Sequence, residues 1–161
     1  MSRRLLLLRH AKSSWDDPSL PDRERPLSPR GRRNAAAVAQ HLAAAHLSPA
    51  LVLCSSSLRT RETLAALLPV LDGEVVVRID SRLYDATAAD LLELLRGLPD
   101  EAASVLVIGH NPALEELVAR LAGAAAPERF PTGALATIET GTGWAELGAV
   151  GTRLAEVCVP R

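Results

Sequence analysis

The chain holds one lysine, two cysteines and four aromatic residues in 161 positions, and each scarcity excludes something. Two cysteines, Cys54 and Cys158, are too few for a disulfide framework. Each sits in an apolar run, which reads as a buried, reduced thiol in a cytoplasmic protein. Aromatic side chains are too sparse to stack on single-stranded nucleic acid. The formal net charge of -1 provides no field that would draw the whole chain onto nucleic acid or a membrane. No apolar stretch approaches the roughly 18 residues of a membrane span. Leu5–Leu8 is also too short for the apolar centre of a signal peptide, and Arg9 and His10 follow it at once. The only lysine, Lys12, is not preceded by the glycines of a P-loop. There is no His-Glu-x-x-His motif, and His10 and His110 lack carboxylate partners at zinc-ligand spacing, so no metal site is expected.

What is abundant is leucine (28), alanine (27) and arginine (17). With 48% apolar residues the chain can bury an ordinary core, and its length fits one domain covering residues 1–161. Charge is uneven along it. Residues 1–33 carry nine basic and four acidic side chains, and the remainder carries nine and fifteen. A basic first fifth suits an anionic ligand or a solvated loop.

Apolar runs alternate with helical patterns. Leu5–Leu8 reads as a strand buried on both faces. Residues 11–27 form a long polar loop, a frequent place for function in a small domain. Ser28-Pro29 is an N-cap followed by a first-turn proline, opening an Ala-rich helix to about His46. A strand at Leu51–Cys54, a helix from Leu58 to about Leu71 and a strand at Glu74–Ile79 follow. Thr87 and Asp90 make a capping box for a helix to about Leu98. Then come a strand at Ser104–Ile108 and a helix capped at Asn111-Pro112 and ending near Gly123. Two or three strands are expected between Gly133 and Val159. The alternation predicts an α/β fold, a three-layer αβα sandwich around a mainly parallel sheet. Such sheets bind ligands outside the carboxyl ends of their strands.

Three predicted strand ends carry reactive residues: Arg9 and His10, Ser55 to Arg61, and Gly109-His110-Asn111. If they converge, Arg9, Arg59 and two imidazoles surround one cavity, an array suited to a phosphoryl group. Arginine forks bind phosphate oxygens in pairs. One imidazole can attack phosphorus if its other nitrogen is held by a hydrogen bond, and the second can stabilise growing negative charge. His41 and His46 lie in or at the end of the Ala-rich helix and are read as non-catalytic. Nearby arginines should lower the His10 pKa, with activity lost on acidification inside the pH 5–8 range of an ordinary histidine.

With these residues in view, the chain resembles the histidine phosphatase superfamily, and most nearly its SixA-type phosphohistidine phosphatases. Arg9-His10-Ala11 resembles the Arg-His-Gly signature. Leu27-Ser28-Pro29-Arg30-Gly31 resembles the Leu-Thr-x-x-Gly helix start, and Ser55 to Thr63 the Ser-Pro-x-x-Arg-Ala-x-Glu-Thr segment. Leu83-Tyr84-Asp85 stands at the Leu-x-Glu position. Gly109-His110-Asn111-Pro112 and Phe130-Pro131-Thr132-Gly133-Ala134 complete the match.

The resemblance implies a histidine-phosphatase (phosphoglycerate-mutase-like) fold, with His10 as the transiently phosphorylated nucleophile. Arg9, Arg59 and His110 would hold the phosphoryl oxygens, and Asp85 would either take the general-acid position or be a surface turn aspartate before Thr87. No cofactor is implied. Ala11 departs from the signature glycine. Lys12 and Ser13 stand where the family has Glu-Thr; either Lys12 or Ser13 supplies oxygen contacts, or the segment is a plain solvated loop. The substrate would be phosphohistidine on a protein, acted on by a monomer. A small phosphorylated molecule, a mutase reaction or a non-catalytic phosphoprotein-binding module are the alternatives, and no nucleic acid or membrane partner is expected. A cysteine phosphatase is excluded, because its signature needs five residues between Cys and Arg and Cys54 and Arg59 enclose four.

Overall fold

The computed structural model describes residues 2–160. Six strands form one sheet: β1 (Arg3–Arg9), β2 (Leu51–Ser55), β3 (Val76–Asp80), β4 (Ser104–Gly109), β5 (Leu135–Thr140) and β6 (Thr152–Cys158). Their order is β3-β2-β4-β1-β5-β6. The β3–β2, β2–β4 and β4–β1 pairs are parallel, whereas β5 runs antiparallel to both of its neighbours. Four helices flank the sheet: α1 (Pro29–Ala44), α2 (Leu58–Leu67), α3 (Ala88–Arg96) and α4 (Ala113–Ala122).

The alternation of side chains along β1 divides the core. Leu5 and Leu7 pack with Leu91 and Leu95 of α3 and Leu114 and Leu117 of α4. Leu6 and Leu8 point the other way, onto Val38 and Leu42 of α1 and Leu64 and Leu67 of α2. All four leucines are fully buried, each contributing about 1.5–3 kcal/mol over exposure. A strand covered on both faces requires this unbroken apolar run, and the result is the expected three-layer αβα sandwich.

Local signals set the helix starts. Ser28 accepts from the Gly31 N–H, with Pro29 in the first turn, and Thr87 and Asp90 form the reciprocal capping box. Gly31 is required by proximity. A Cβ there would lie 2.0 Å from the Lys12 carbonyl oxygen, which passes against α1 while accepting from Ser28.

Several boundaries differ from expectation. α2 stops at Leu67 and passes into a 3-10 turn, Leu68–Val70, because Pro69 has no N–H to continue the ladder. β3 begins at Val76, two residues late, and lies at the sheet edge with Val76 and Ile79 exposed. Two strands close the chain. Cys158 is half-buried, since β6 is the other edge strand, whereas Cys54 is buried and desolvation pushes its thiol up to about 12. Among the described residues, no helix is long and apolar enough to cross a membrane.

Candidate active site

β1 and β4 are adjacent, parallel and in register, with Arg9 opposite Gly109. His10 and His110 directly follow the last residue of each strand, so the pairing brings the two imidazoles side by side. Their ring centroids are 5.3 Å apart. The next strand, β2, ends at Ser55 and turns through Ser57, which caps α2. Arg59, in the first turn of that helix, is thereby brought over the same end of the sheet. Arg9, His10, Arg59 and His110 all line one cavity of about 380 Å3. Lys12, Ser13, Trp15, Arg25, Tyr84, Asn111 and Thr132 complete its wall. Among the described residues, four cationic side chains and no carboxylate line it, so the cavity favours an anion.

The hydrogen bonds of His10 fix its tautomer. Nδ1 lies 2.7 Å from the Ala11 carbonyl oxygen. A carbonyl only accepts, so Nδ1 carries the proton and Nε2 carries the lone pair. That nitrogen receives the Arg59 Nε–H at 3.4 Å. Burial, more than the adjacent Arg59 and Arg9 charges, lowers the His10 pKa to about 3. The lone pair is therefore available at neutral pH and well below it. Burial adds to the charge effect, so loss of activity on acidification is now expected below the pH 5–8 range.

His110 is held by Ser55, whose hydroxyl lies 2.7 Å from Nε2. Burial first, and then Arg59, lower its pKa to about 4. Arg9 donates to the Phe130 carbonyl oxygen at 3.2 Å, and Asn111 donates to the same oxygen at 2.8 Å. Gly133, at φ +77°, donates its N–H to the carbonyl oxygens of Arg9 and His10. This staples the Phe130–Ala134 segment across the end of β1. Only glycine adopts that φ easily, and a Cβ would also strike Pro160 at 2.7 Å.

Ala11 is accommodated without strain. Its side chain is buried with Leu27 and Ala35, and its N–H donates to the Thr63 hydroxyl. Among the described non-glycine residues only His46 has positive φ, so position 11 has no conformational need for glycine.

The other expected site residues separate. Ser13 is in the wall, its hydroxyl accepting from Arg25, and the Lys12 side chain is exposed there. Asp85 is exposed and off the cavity wall. Tyr84, one residue earlier, takes the place beside His110, edge-on at 5.4 Å between centroids. His41 faces Glu156 at 3.3 Å and is not part of the cavity wall. Among the described residues no group of three or more His, Cys, Asp or Glu side chains could hold a metal ion.

Sequence reasoning missed Arg25, Trp15, Tyr84 and Asp22, and placed Ser55 at a strand end without giving it a role. Asp22 accepts from Arg59 and Arg25, and Tyr84 donates to it. The length of the loop over 11–27 was the one signal that it would carry function.

Comparison with known proteins identifies the family. The sequence profile of the histidine phosphatase superfamily (branch 1) matches residues 5–93, more than half of the chain. An uncharacterized chloroplastic protein of Arabidopsis thaliana is 42% identical over 134 residues, 77% of this chain and 61% of that protein. The chain thus spans about three fifths of that relative's length. A structure assigned as phosphohistidine phosphatase SixA from Nakamurella multipartitia superposes with a TM-score of 0.85 at 32% identity, covering 99% of this chain and 97% of the other. The protein histidine phosphatase SixA complexed with tungstate gives 0.82 at 26% identity, covering 98% and 97%. By sequence profile and by fold, the chain belongs to branch 1 of the histidine phosphatase superfamily and is a phosphatase of the SixA type.

Proposed function

We propose that the protein removes the phosphoryl group from phosphohistidine on another protein, by way of a phosphohistidine on its own His10. The observation that carries this reading is the His10 Nδ1–H bond to the Ala11 carbonyl, which leaves Nε2 as an unprotonated, aimed nucleophile. A module that only binds phosphoprotein needs arginines but has no use for that arrangement.

The steps follow from the geometry. Nε2 attacks phosphorus from one side while the bond to the substrate imidazole breaks on the other, in line. Arg9 and Arg59 hold the equatorial oxygens, and His110 donates to the charge that accumulates there. The departing imidazole accepts a proton from solvent. Water then attacks the phosphoenzyme, inorganic phosphate leaves, and the Nε2 lone pair is restored.

Asp85 is not needed as a strong acid here, because neutral imidazole is a stable leaving group near its pKa of about 6.5. Its exposure suits a role limited to its charge, which raises the His110 pKa slightly against the larger opposing effects. Lys12 and Ser13 line the same cavity and would add contacts to the phosphoryl oxygens. The open mouth suits a phosphoryl group borne on a protein surface. A soluble monomer in the cytoplasm, without cofactor, is the proposed working form. The tungstate in the SixA complex, an oxyanion of similar shape to phosphate, supports an oxyanion site in this fold.

The test is a release assay comparing a phosphohistidine protein, a phosphoramidate and simple phosphate esters. The expected order of kcat/KM is phosphohistidine protein, then phosphoramidate, then ester. An ester preferred over both N–P substrates contradicts the proposal.

A further inference from the structure

Asp22 stands on a short 3-10 turn, Asp22–Glu24, in the long loop between β1 and α1. It is not part of the cavity wall, yet three side chains of that wall converge on it. Its Oδ2 accepts from an Arg59 terminal nitrogen at 2.9 Å and from the Tyr84 hydroxyl. Its Oδ1 accepts from Arg25 at 3.0 Å. Its main-chain oxygen accepts from the other terminal nitrogen of Arg59 at 2.8 Å.

A guanidinium has five N–H donors in a planar fork. Asp22 fills the end edge of the Arg59 fork with two oxygens, one on each terminal nitrogen. The side edge, which contains Nε–H, is turned to His10, where Nε–H reaches Nε2 at 3.4 Å. A phosphoryl group at Nε2 therefore meets that edge, whose two N–H groups can grip oxygens as a pair. The Tyr84 hydrogen bond first, and Arg59 next among the stabilising causes, lower the Asp22 pKa to about 2. The carboxylate is thus a permanent acceptor and not a proton donor.

We infer that Asp22 is the positioning residue for phosphoryl binding: it occupies the end edge of Arg59, with Tyr84 and Arg25 holding its carboxylate, so that the side edge faces the His10 nucleophile. The inference rests on the phosphatase reading above. It also has a distinguishing sign. A carboxylate near an anion site repels the anion, so removing it should tighten binding if charge alone mattered. Loss of positioning weakens binding instead.

The experiment measures inorganic phosphate binding by titration calorimetry, and kcat and KM on a phosphoramidate, for wild type, Asp22→Ala and Asp22→Asn. Asp22→Ala is expected to weaken phosphate binding about tenfold, the size of one charge-assisted hydrogen bond. Its kcat should fall up to about 10²-fold, the cost of misplacing a reacting group by roughly 1 Å. Asp22→Asn keeps one acceptor oxygen for Arg59 and should fall between Asp22→Ala and wild type. If Asp22→Ala does not fold, the comparison of Asp22→Asn with wild type decides in the same direction. A folded variant that binds phosphate as tightly as wild type, or tighter, with unchanged kcat overturns the inference alone. A wild type that neither binds phosphate nor turns over phosphoramidate overturns the phosphatase reading and this inference with it.

Discussion

His10 and His110 directly follow the ends of two adjacent parallel strands, one residue past the Arg9–Gly109 pair, and their ring centroids lie 5.3 Å apart. Strand register, not loop conformation, sets the spacing of the two imidazoles. A site built this way is as rigid as the sheet that carries it.

The pH dependence of activity follows from the burial of these rings. Both are neutral at pH 7, with pKa values lowered to about 3 for His10 and about 4 for His110. On a phosphoramidate, kcat/KM corrected for the ionisation of the substrate should stay level from about pH 8 to 5 and fall below about 4. A half-loss near 6.5 would mean that the imidazoles titrate like ordinary solvated ones.

Stability should show the same groups with the opposite bookkeeping of protons. Each histidine binds a proton near pH 6.5 when unfolded, but only near 3 or 4 when folded. The unfolded state therefore binds more protons throughout that interval, and stability falls as pH drops from about 6.5 toward 4. Each group contributes a slope of about 1.4 kcal/mol per pH unit in the middle of the interval. Asp22, lowered to about 2, titrates below it. Denaturant unfolding between pH 7 and 4.5 tests this, and His10→Asn should remove about one histidine's share of the slope. An unchanged slope in that variant would show that His10 is solvated.

The legible part of this molecule was the part governed by period and capping. The four consecutive leucines of β1, the Ser28-Pro29 start of α1 and the Thr87/Asp90 capping box each act within a few residues. The convergence of Arg9, His10, Arg59 and His110 was also readable, because each closes a strand or opens the helix after it. Asp22 and Tyr84 were not readable. They lie 62 positions apart and meet only through the fold of a loop with no repeating pattern. The shortened α2 was missed because apolar periodicity continued past Pro69, which local backbone chemistry does not permit.

Ser55 is fully buried, and its hydroxyl is the hydrogen-bond partner of His110 Nε2. Ser55→Ala should lower kcat/KM by about three- to tenfold, the value of one hydrogen bond of roughly 0.5–1.5 kcal/mol. Steady-state kinetics alongside thermal unfolding checks this. A variant of unaltered stability and unaltered kcat/KM would show that the ring needs no such tether.

Asp85 is exposed and outside the cavity wall. Asp85→Asn should change phosphohistidine turnover by less than about twofold, as expected for a screened surface charge. Its effect on ester hydrolysis, where an alkoxide leaving group needs a proton, should be larger. A loss of about 10²-fold on phosphohistidine, the usual contribution of a general acid, would assign that role to Asp85 after all.

The central claim is that His10 becomes phosphorylated. The direct measurement is a rapid acid-free quench of enzyme mixed with a radiolabelled phosphohistidine protein, followed by acid and base treatment of the trapped enzyme. The account predicts label on wild type that is lost in acid and stable in base, as for phosphoimidazole, and no label on His10→Ala. Label that persists on His10→Ala, or turnover by wild type with label lost in base and stable in acid, would contradict it.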